Sequence, residues 1–506
     1  MNKKRISINI IANFLSFFIG LAITFFLTPY IIEVLGVEAY SFFPMANTVI
    51  SYTSIITMAV NSMVGRFISI AYHKGEIHKA ESYFNTVLVT DIVLAILLFI
   101  ISTITVTYLD DLINIPTELV ADVKLLFFIL FFASMLLLSL SAFKVCTFVK
   151  NRIDIDAYLN IIKSIVRTAM LLVLFAFFSP SITYVGLASC VIFSFEALFY
   201  VRVKKKIMPN IRVNFSKYNF QMLNELLKPG MWNSLGQVNK ILTLGLDLVF
   251  ANIFLGAVSS GILGVAKTIP AYAYTLCNII AISFTPALTK AYAKNKDTLY
   301  GNLTESFIPL CLLGALVYGG FISMGDLFYS LWIPDTPSKQ LHILSILTMA
   351  PTIALFGVLT IKSVFVVQNN VKINAIVNSI VALLACILVL TLLKFTDLGL
   401  YAIAGVSSVL FIIKDLVFTL PYIARCMNKK WYSFYPKMFK SWICISTVAV
   451  VGWFFRSQFI VNTWKLLICS ALLIAIISVV INLFIITNKE QRCKLKSKLI
   501  NWLGKK

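Results

Sequence analysis

The sequence predicts an all-α polytopic membrane protein with about 14 transmembrane helices: two parallel six-helix repeats forming two lobes, plus two C-terminal helices. Three observations predict it. Hydrophobic residues make up 59% of the 506-residue chain and mean hydropathy is +0.91, well beyond a soluble chain, in which about half the residues are apolar. Apolar runs of roughly 20 residues, enough for a helix to cross a bilayer, recur along the whole length with short polar breaks. Lysine and arginine collect in alternate breaks, as expected where basic connections face the cytoplasm.

The opening MNKKRISINIIANFLSFFIGLAITFF has a charged start and an apolar run too long for the core of a cleaved leader. No small-residue cleavage site follows, so it reads as a retained first helix. Spans are expected at 8–30, 39–70, 82–108, 120–148, 156–178, 182–202, 230–255, 260–290, 303–332, 340–367, 373–394, 399–423, 438–459 and 463–487. The basic connections hold, among others, Lys74, Lys79, Lys150, Arg152, Lys204, Lys205 and Lys206. The opposite set holds Glu33, Glu38, Asp110, Asp111, Glu118, Asp122, Asp326 and Asp335. Both termini are therefore expected in the cytoplasm. The longest basic connection sits near the midpoint and divides the chain: a first lobe over 1–203, the connection over 204–229, a second lobe over 230–425, two further helices within 426–488 and a basic tail over 489–506. In the tail, cations alternate with Leu495, Leu499, Ile500 and Trp502, which suits either an amphipathic helix on anionic lipid or an unordered end.

The halves repeat one another. Leu35-Gly36 aligns with Leu255-Gly256, and without a gap Ala46, Thr48, Tyr52, Ala71-Tyr72 and Lys74 align with Ala266, Thr268, Tyr272, Ala291-Tyr292 and Lys294. Asn13 aligns with Asn233, and VKNRIDIDAYLN at 149–160 with VQNNVKINAIVN at 367–378. Each copy holds six spans, so both enter the membrane in the same direction, one of the plans of transporters that bind substrate between halves.

Charges inside spans point to function unless they lie near an end and reach the interface. Lys144 and Lys362, equivalent in the repeat, are near enough to the cytoplasmic end to snorkel. Lys163 and Arg167 lie one turn apart on the fifth span, with Arg167 roughly 16 Å deep, and like charges at that spacing repel unless an anion or an acidic side chain lies between them. Arg66 on the second span suits either an interface or a cavity. Asn233, Gln237, Lys240 and Asp247 form one stripe of the seventh span, a packing seam or a cavity wall; Asn13 belongs to the equivalent polar row of the first. Lys267, alone in the apolar run ILGVAKTIPAYAY, either pairs with Asp247 at similar depth or faces a central cavity. Glu196 and Asp415, also equivalent, suit structural pairing or ion coupling. The expected cationic cavity thus draws on Arg66, Lys163, Arg167, Lys240 and Lys267, its polar lining on Asn13, Asn233 and Gln237, and ion coupling on Asp247, Glu196 and Asp415.

The net charge of +22 is explained by the basic connections rather than by a nucleic-acid partner. Nine cysteines show no CxxC or paired spacing, the histidines His73, His78 and His342 are scattered, and GxGxxG, P-loop and HExxH patterns are absent. No metal, cofactor or catalytic residue is therefore expected. A glycosyltransferase or polysaccharide polymerase is the rival from another class, on Asp154-Ile155-Asp156 as a DxD pattern and Asp110-Asp111 as an acidic pair, each without a surrounding nucleotide-binding domain.

The run VLGVEAYSFF after the first span, and KPGMWNSLGQVNKILTLGLDLVFANIFLG followed by AKTIPAY and FTPALTKAYAK in the second half, resemble the polysaccharide-export flippases of the multidrug/oligosaccharidyl-lipid/polysaccharide exporter superfamily. The resemblance covers most of the chain. It implies transport of a lipid-linked oligosaccharide, of undecaprenyl diphosphate type, from the inner to the outer leaflet of a bacterial cytoplasmic membrane, by alternating access through a cationic cavity. The cargo then serves O-antigen, capsule or another surface glycan; membrane lipids are partners, and a coupling H+ or Na+ and a polysaccharide polymerase remain open. A cation-coupled drug exporter of the same superfamily is the alternative, disfavoured because cations outnumber acids among the deep residues.

Overall fold

Lipid offers no hydrogen bonds to a backbone, so long apolar runs must become helices. The computed structural model describes residues 3–150, 152–227, 231, 234–235, 238, 245–368 and 371–487. The first half is built of α1 (Lys3–His73), α2 (Ile77–Thr107), α3 (Val120–Ser139), the short α4 (Val145–Val149), α5 (Ile153–Phe177) and α6 (Thr183–Ile207). The second half continues with α7 (Leu246–Leu255), α8 (Ala257–Ser283), α9 (Thr285–Lys294), α10 (Lys296–Gly314), α11 (Gly320–Trp332), α12 (Ser338–Leu355), the short α13 (Ser363–Val367), α14 (Val371–Phe395), α15 (Leu400–Lys414) and α16 (Leu420–Cys426). The two helices outside the repeat are α17 (Tyr435–Gln458) and α18 (Trp464–Ile486). Among the described residues, 12 helical segments are long and apolar enough to cross a membrane. The first two expected spans lie within α1 on either side of Gly36, and the end of the seventh is α7.

The duplication is visible in the backbone. Gly36 has φ 81° and ψ 159°, and its repeat partner Gly256, between α7 and α8, has φ 88° and ψ 171°. Only glycine enters this region without strain, so the same break recurs where the sequence aligns Leu-Gly with Leu-Gly. A second pair of breaks interrupts spans expected to be continuous: 3-10 turns at Ser141–Lys144 and Phe356–Lys362. Before the first, the Ser139 hydroxyl donates to Leu136 O at 2.8 Å, a back-bond that competes with the helix ladder. Before the second, Pro351 removes a donor from α12. The second half also contains two π-turns, Ala315–Gly319 and Asp415–Thr419.

Packing divides the chain into one unit over Met1–Gly264 and another over Val265–Lys506. This division falls inside α8, whereas the sequence joins the halves at 204–229. In the first unit α7 stays with the first half: Asn114 N and Nδ2 donate to Asn252 Oδ1 and O at 2.8 Å each, and Asn252 Nδ2 returns a bond to Asn114 O at 3.1 Å. A Cβ on Gly261 would come within 2.4 Å of Val37 O, so the start of α8 lies directly on α1.

The connection after α6 is fastened to the start of α2. Glu81, Asn85 and Thr86 are buried there, and such groups need partners. Asn85 Nδ2 donates to Arg212 O at 2.9 Å, Asn85 Oδ1 accepts from Asn214 N at 2.8 Å, and Thr86 Oγ1 accepts from Asn219 N at 3.0 Å. Glu81 accepts from Arg212 N at 3.1 Å and ion-pairs with Lys217, while Tyr83 donates to Glu225. Below them lies an apolar core of Tyr83, Phe84, Leu88, Phe143 and Leu226.

In the second unit Tyr318 and Phe356 are among the largest fully buried side chains, and α17 and α18 contribute Cys444, Val448 and Ile474 to the same core. The approach is close enough that a Cβ on Gly357 would sit 2.0 Å from Ser441 Oγ. A two-pronged pair, Arg456 Nη1 and Nη2 to the Asp326 carboxylate at 2.7 Å each, ties α17 to α11. The two extra helices are thus part of the second unit's core.

Candidate functional site

A charge in a membrane span is tolerated only where something polar answers it. In the first unit, α5 presents Lys163 and Arg167. Lys163 Nζ donates to Glu196 Oε2 of α6 at 2.7 Å, with the carboxylate 6% exposed, so an acidic side chain answers this lysine. Arg167 is different. Its guanidinium carbon lies 4.8 Å from the centre of the Phe43 ring of α1, and its Nε is buried with no hydrogen-bond acceptor. Among the described residues no carboxylate stands at ion-pair distance from it. The ring face is a weak answer to a full charge.

Phe43 is one turn before Asn47, whose amide donates back to Phe43 O at 3.0 Å. In the ungapped repeat Asn47 aligns with Lys267. Asn47 thus stands where the repeat has Lys267, and Arg167 reaches the helix of Asn47 from α5. Lys267 is half-buried on α8. Asp247, named with it by the sequence, is buried in the first turn of α7 in the other unit.

Asp91 was not among the sequence candidates. It is fully buried in the middle of α2, receives Asn61 Nδ2 on Oδ1 at 3.2 Å and a hydrogen bond from the Ser141 hydroxyl on Oδ2. No cation is paired with it among the described residues. The signal was present, since any acid at mid-depth of an apolar run qualifies and Asp91 lies well inside the expected span 82–108.

In the second unit Asp415 opens the π-turn and is 1% exposed. Lys362 Nζ lies 2.9 Å from its Oδ2, Lys414 pairs with its Oδ1, and Thr419 Oγ1 donates to Oδ1 at 2.7 Å. Asn378 Oδ1 accepts from Lys414 at 3.1 Å. Snorkelling therefore does not describe Lys362, whose ammonium turns to a buried carboxylate. Its counterpart Lys144 is exposed, 5.4 Å from the Tyr200 ring centre.

Arg66 is exposed on the latter part of α1. Asn233, Gln237 and Lys240 lie outside the described residues, as does the side chain of Asn13. The rival DxD pair is occupied: Arg152 Nε reaches Asp154 Oδ1 at 3.0 Å, and Asp156 accepts from Tyr200 at 2.7 Å and Thr147 at 3.1 Å. Of the acidic pair, Asp110 is held by Lys124 at 2.6 Å, an ammonium hydrogen bond that keeps its carboxyl below the usual range. Among the described residues no three His, Cys, Asp or Glu side chains converge as metal ligands would.

The chain is 29% identical over 501 residues to the uncharacterized membrane protein EpsK of Bacillus subtilis (strain 168), covering 96% of this chain and 97% of that one. Among solved structures it matches the lipid II flippase MurJ in an inward closed conformation, with TM-score 0.64, 16% identity and coverage of 93% of this chain and 97% of that one. It also matches an inward-facing multidrug resistance MATE family transporter of the MOP superfamily, with TM-score 0.64, 14% identity and coverage of 81% and 98%. No protein-family model matches the chain.

Proposed function

We propose that this multi-pass membrane protein, which has the transporter fold of the MOP superfamily, is a flippase for an isoprenoid-diphosphate-linked oligosaccharide. The cargo moves from the cytoplasmic to the outer leaflet of a bacterial inner membrane, with both termini of the chain in the cytoplasm. The observation that carries the reading is Arg167: a guanidinium deep in a span, its Nε buried without an acceptor, set over the Phe43 ring with no carboxylate at ion-pair distance among the described residues. A diphosphate supplies the missing oxygen acceptors, and Arg is the side chain best shaped to receive them. Lys267 supplies the matching cation in the second unit.

The energetics agree. A diphosphate cannot shed its water into hydrocarbon unaided, so fixed cations along a shielded route must replace the lost hydration while the isoprenoid tail stays among the acyl chains. Outward movement of negative charge is favoured by about 2.3 kcal/mol per charge per 100 mV of inside-negative potential. Movement of the 1–203 lobe against the 230–425 lobe gives alternating access. Asp91, buried in its span with no cation paired to it among the described residues, supports a coupled cation as a second element.

The test is deletion followed by lipid extraction, with the orientation of the lipid-linked glycan read by a membrane-impermeant lectin or oxidant. The expected result is an isoprenoid-diphosphate oligosaccharide retained on the cytoplasmic face. Normal surface glycan with no retained lipid, together with hypersensitivity to cationic drugs, would assign the chain to drug export instead.

A further inference from the structure

Lys362 stands out on a charge count. Asp415 faces two ammonium groups, and one carboxylate neutralises one of them. Lys414 is its natural partner: the side chain is 6% exposed, adjacent in sequence and steadied by Asn378. The Lys362 side chain is 45% exposed, while the Asp415 side chain 2.9 Å from its ammonium is 1% exposed. The ammonium is thus drawn to a buried carboxylate with much of the side chain still accessible, and a charge so placed in a span is tolerated where something polar answers it rather than against lipid.

The backbone presents it there. Lys362 ends the 3-10 turn Phe356–Lys362, Asp415 begins the π-turn Asp415–Thr419, and the two irregular turns meet through the 2.9 Å pair. Irregular turns inside spans recur at functional sites. Lys267 of α8 belongs to the same unit.

The first unit repeats the device. The 3-10 turn Ser141–Lys144 ends in an exposed lysine, and the acid equivalent to Asp415, Glu196, is taken by Lys163. Lys144 has no carboxylate at ion-pair distance among the described residues. In each unit, a lysine whose charge is not cancelled ends the same 3-10 turn.

We propose that Lys362 is a phosphate-binding residue for the cargo headgroup, with Asp415 as the residue that positions it. The proposal rests on the flippase reading above and adds a site to it. An ammonium has three donors; the Asp415 carboxylate 2.9 Å away fixes its direction by charge, and its donors are offered to phosphate oxygens. Lys267, in the same unit, is the second cation for the headgroup.

The probe is geranylgeranyl diphosphate titrated into the full chain in lipid nanodiscs, with geranylgeraniol as the phosphate-free control and inorganic pyrophosphate as competitor. Lys362→Gln leaves Lys414 and Asp415 balanced, so folding is retained. It is expected to weaken diphosphate-lipid binding about tenfold, the range for losing one charge-assisted contact, and to flatten its salt dependence. Lys362→Arg should keep most of the affinity. Competition by pyrophosphate alone would place recognition in the phosphates rather than the tail. Wild-type affinity in a folded Lys362→Gln variant, with affinity lost in Arg167→Gln, overturns this proposal and leaves the flippase reading standing. Equal binding of geranylgeraniol and its diphosphate by the wild-type chain overturns both.

Discussion

Arg167→Leu separates a residue kept for cargo from one kept for folding. A buried ionic group that serves structure loses about 3–5 kcal/mol when its pairing is broken. Among the described residues Arg167 has no carboxylate pairing to lose, and its Nε already lacks an acceptor, a defect worth about 1–3 kcal/mol. The favourable contact is the Phe43 ring at 4.8 Å, worth about 1–2 kcal/mol for a desolvated cation. Removing the charge also removes a desolvation penalty of several kcal/mol. Leucine fills part of the vacated volume. The gains outweigh the lost ring contact and offset the volume leucine leaves empty, so the variant is expected to be at least as stable as the wild type, while transport is lost. The assay pairs thermal unfolding of the purified protein with the lipid-orientation measurement in a deletion strain. A variant destabilised by more than about 2 kcal/mol that still exports would refute the reasoning, because Arg167 would then be a structural residue with partners of its own.

Asp91→Asn should change stability by less than about 1 kcal/mol, since an amide can keep one bond from Ser141 or Asn61, whereas Asp91→Leu strands both donors and costs about 1–3 kcal/mol each; thermal shifts of the two variants check the difference. Gly256→Ala should cost about 1–3 kcal/mol from the forced positive φ alone, with Gly36→Ala similar and Gly20→Ala, whose Cβ meets nothing within 4 Å, near zero. Asn85→Leu removes the bonds to Arg212 O and Asn214 N, and limited trypsin digestion should then cut after Arg212 or Lys217 many times faster than in the wild type.

Much of the fold was legible because a bilayer accepts few answers. A 20-residue apolar run must be a helix, so α14 and α18 fall within two residues of the predicted 373–394 and 463–487. The repeat was legible through Leu-Gly at 35 and 255, which the backbone angles explain. The breaks at Ser141–Lys144 and Phe356–Lys362 were not, because apolar composition is the same for an α-turn and a 3-10 turn; hydroxyl back-bonding and Pro351 decide it locally. For the candidate residues the sequence gives depth along a helix but not direction around its neighbours. Nothing in it distinguished Lys163, which meets a carboxylate 33 residues away, from Arg167 one turn on. Nor does it show the partners of Asp91, since Asn61 and Ser141 come from two other segments.

The bonds from Glu81, Asn85 and Thr86 to residues 212–219 bear on how the chain is made. Every group in that fastening lies within the first 227 residues, so a ribosome that has delivered that much polypeptide has delivered both the lock and its key. The nascent first half can close on itself at the membrane surface before the second half is synthesised, which shortens the time its buried polar groups spend without partners.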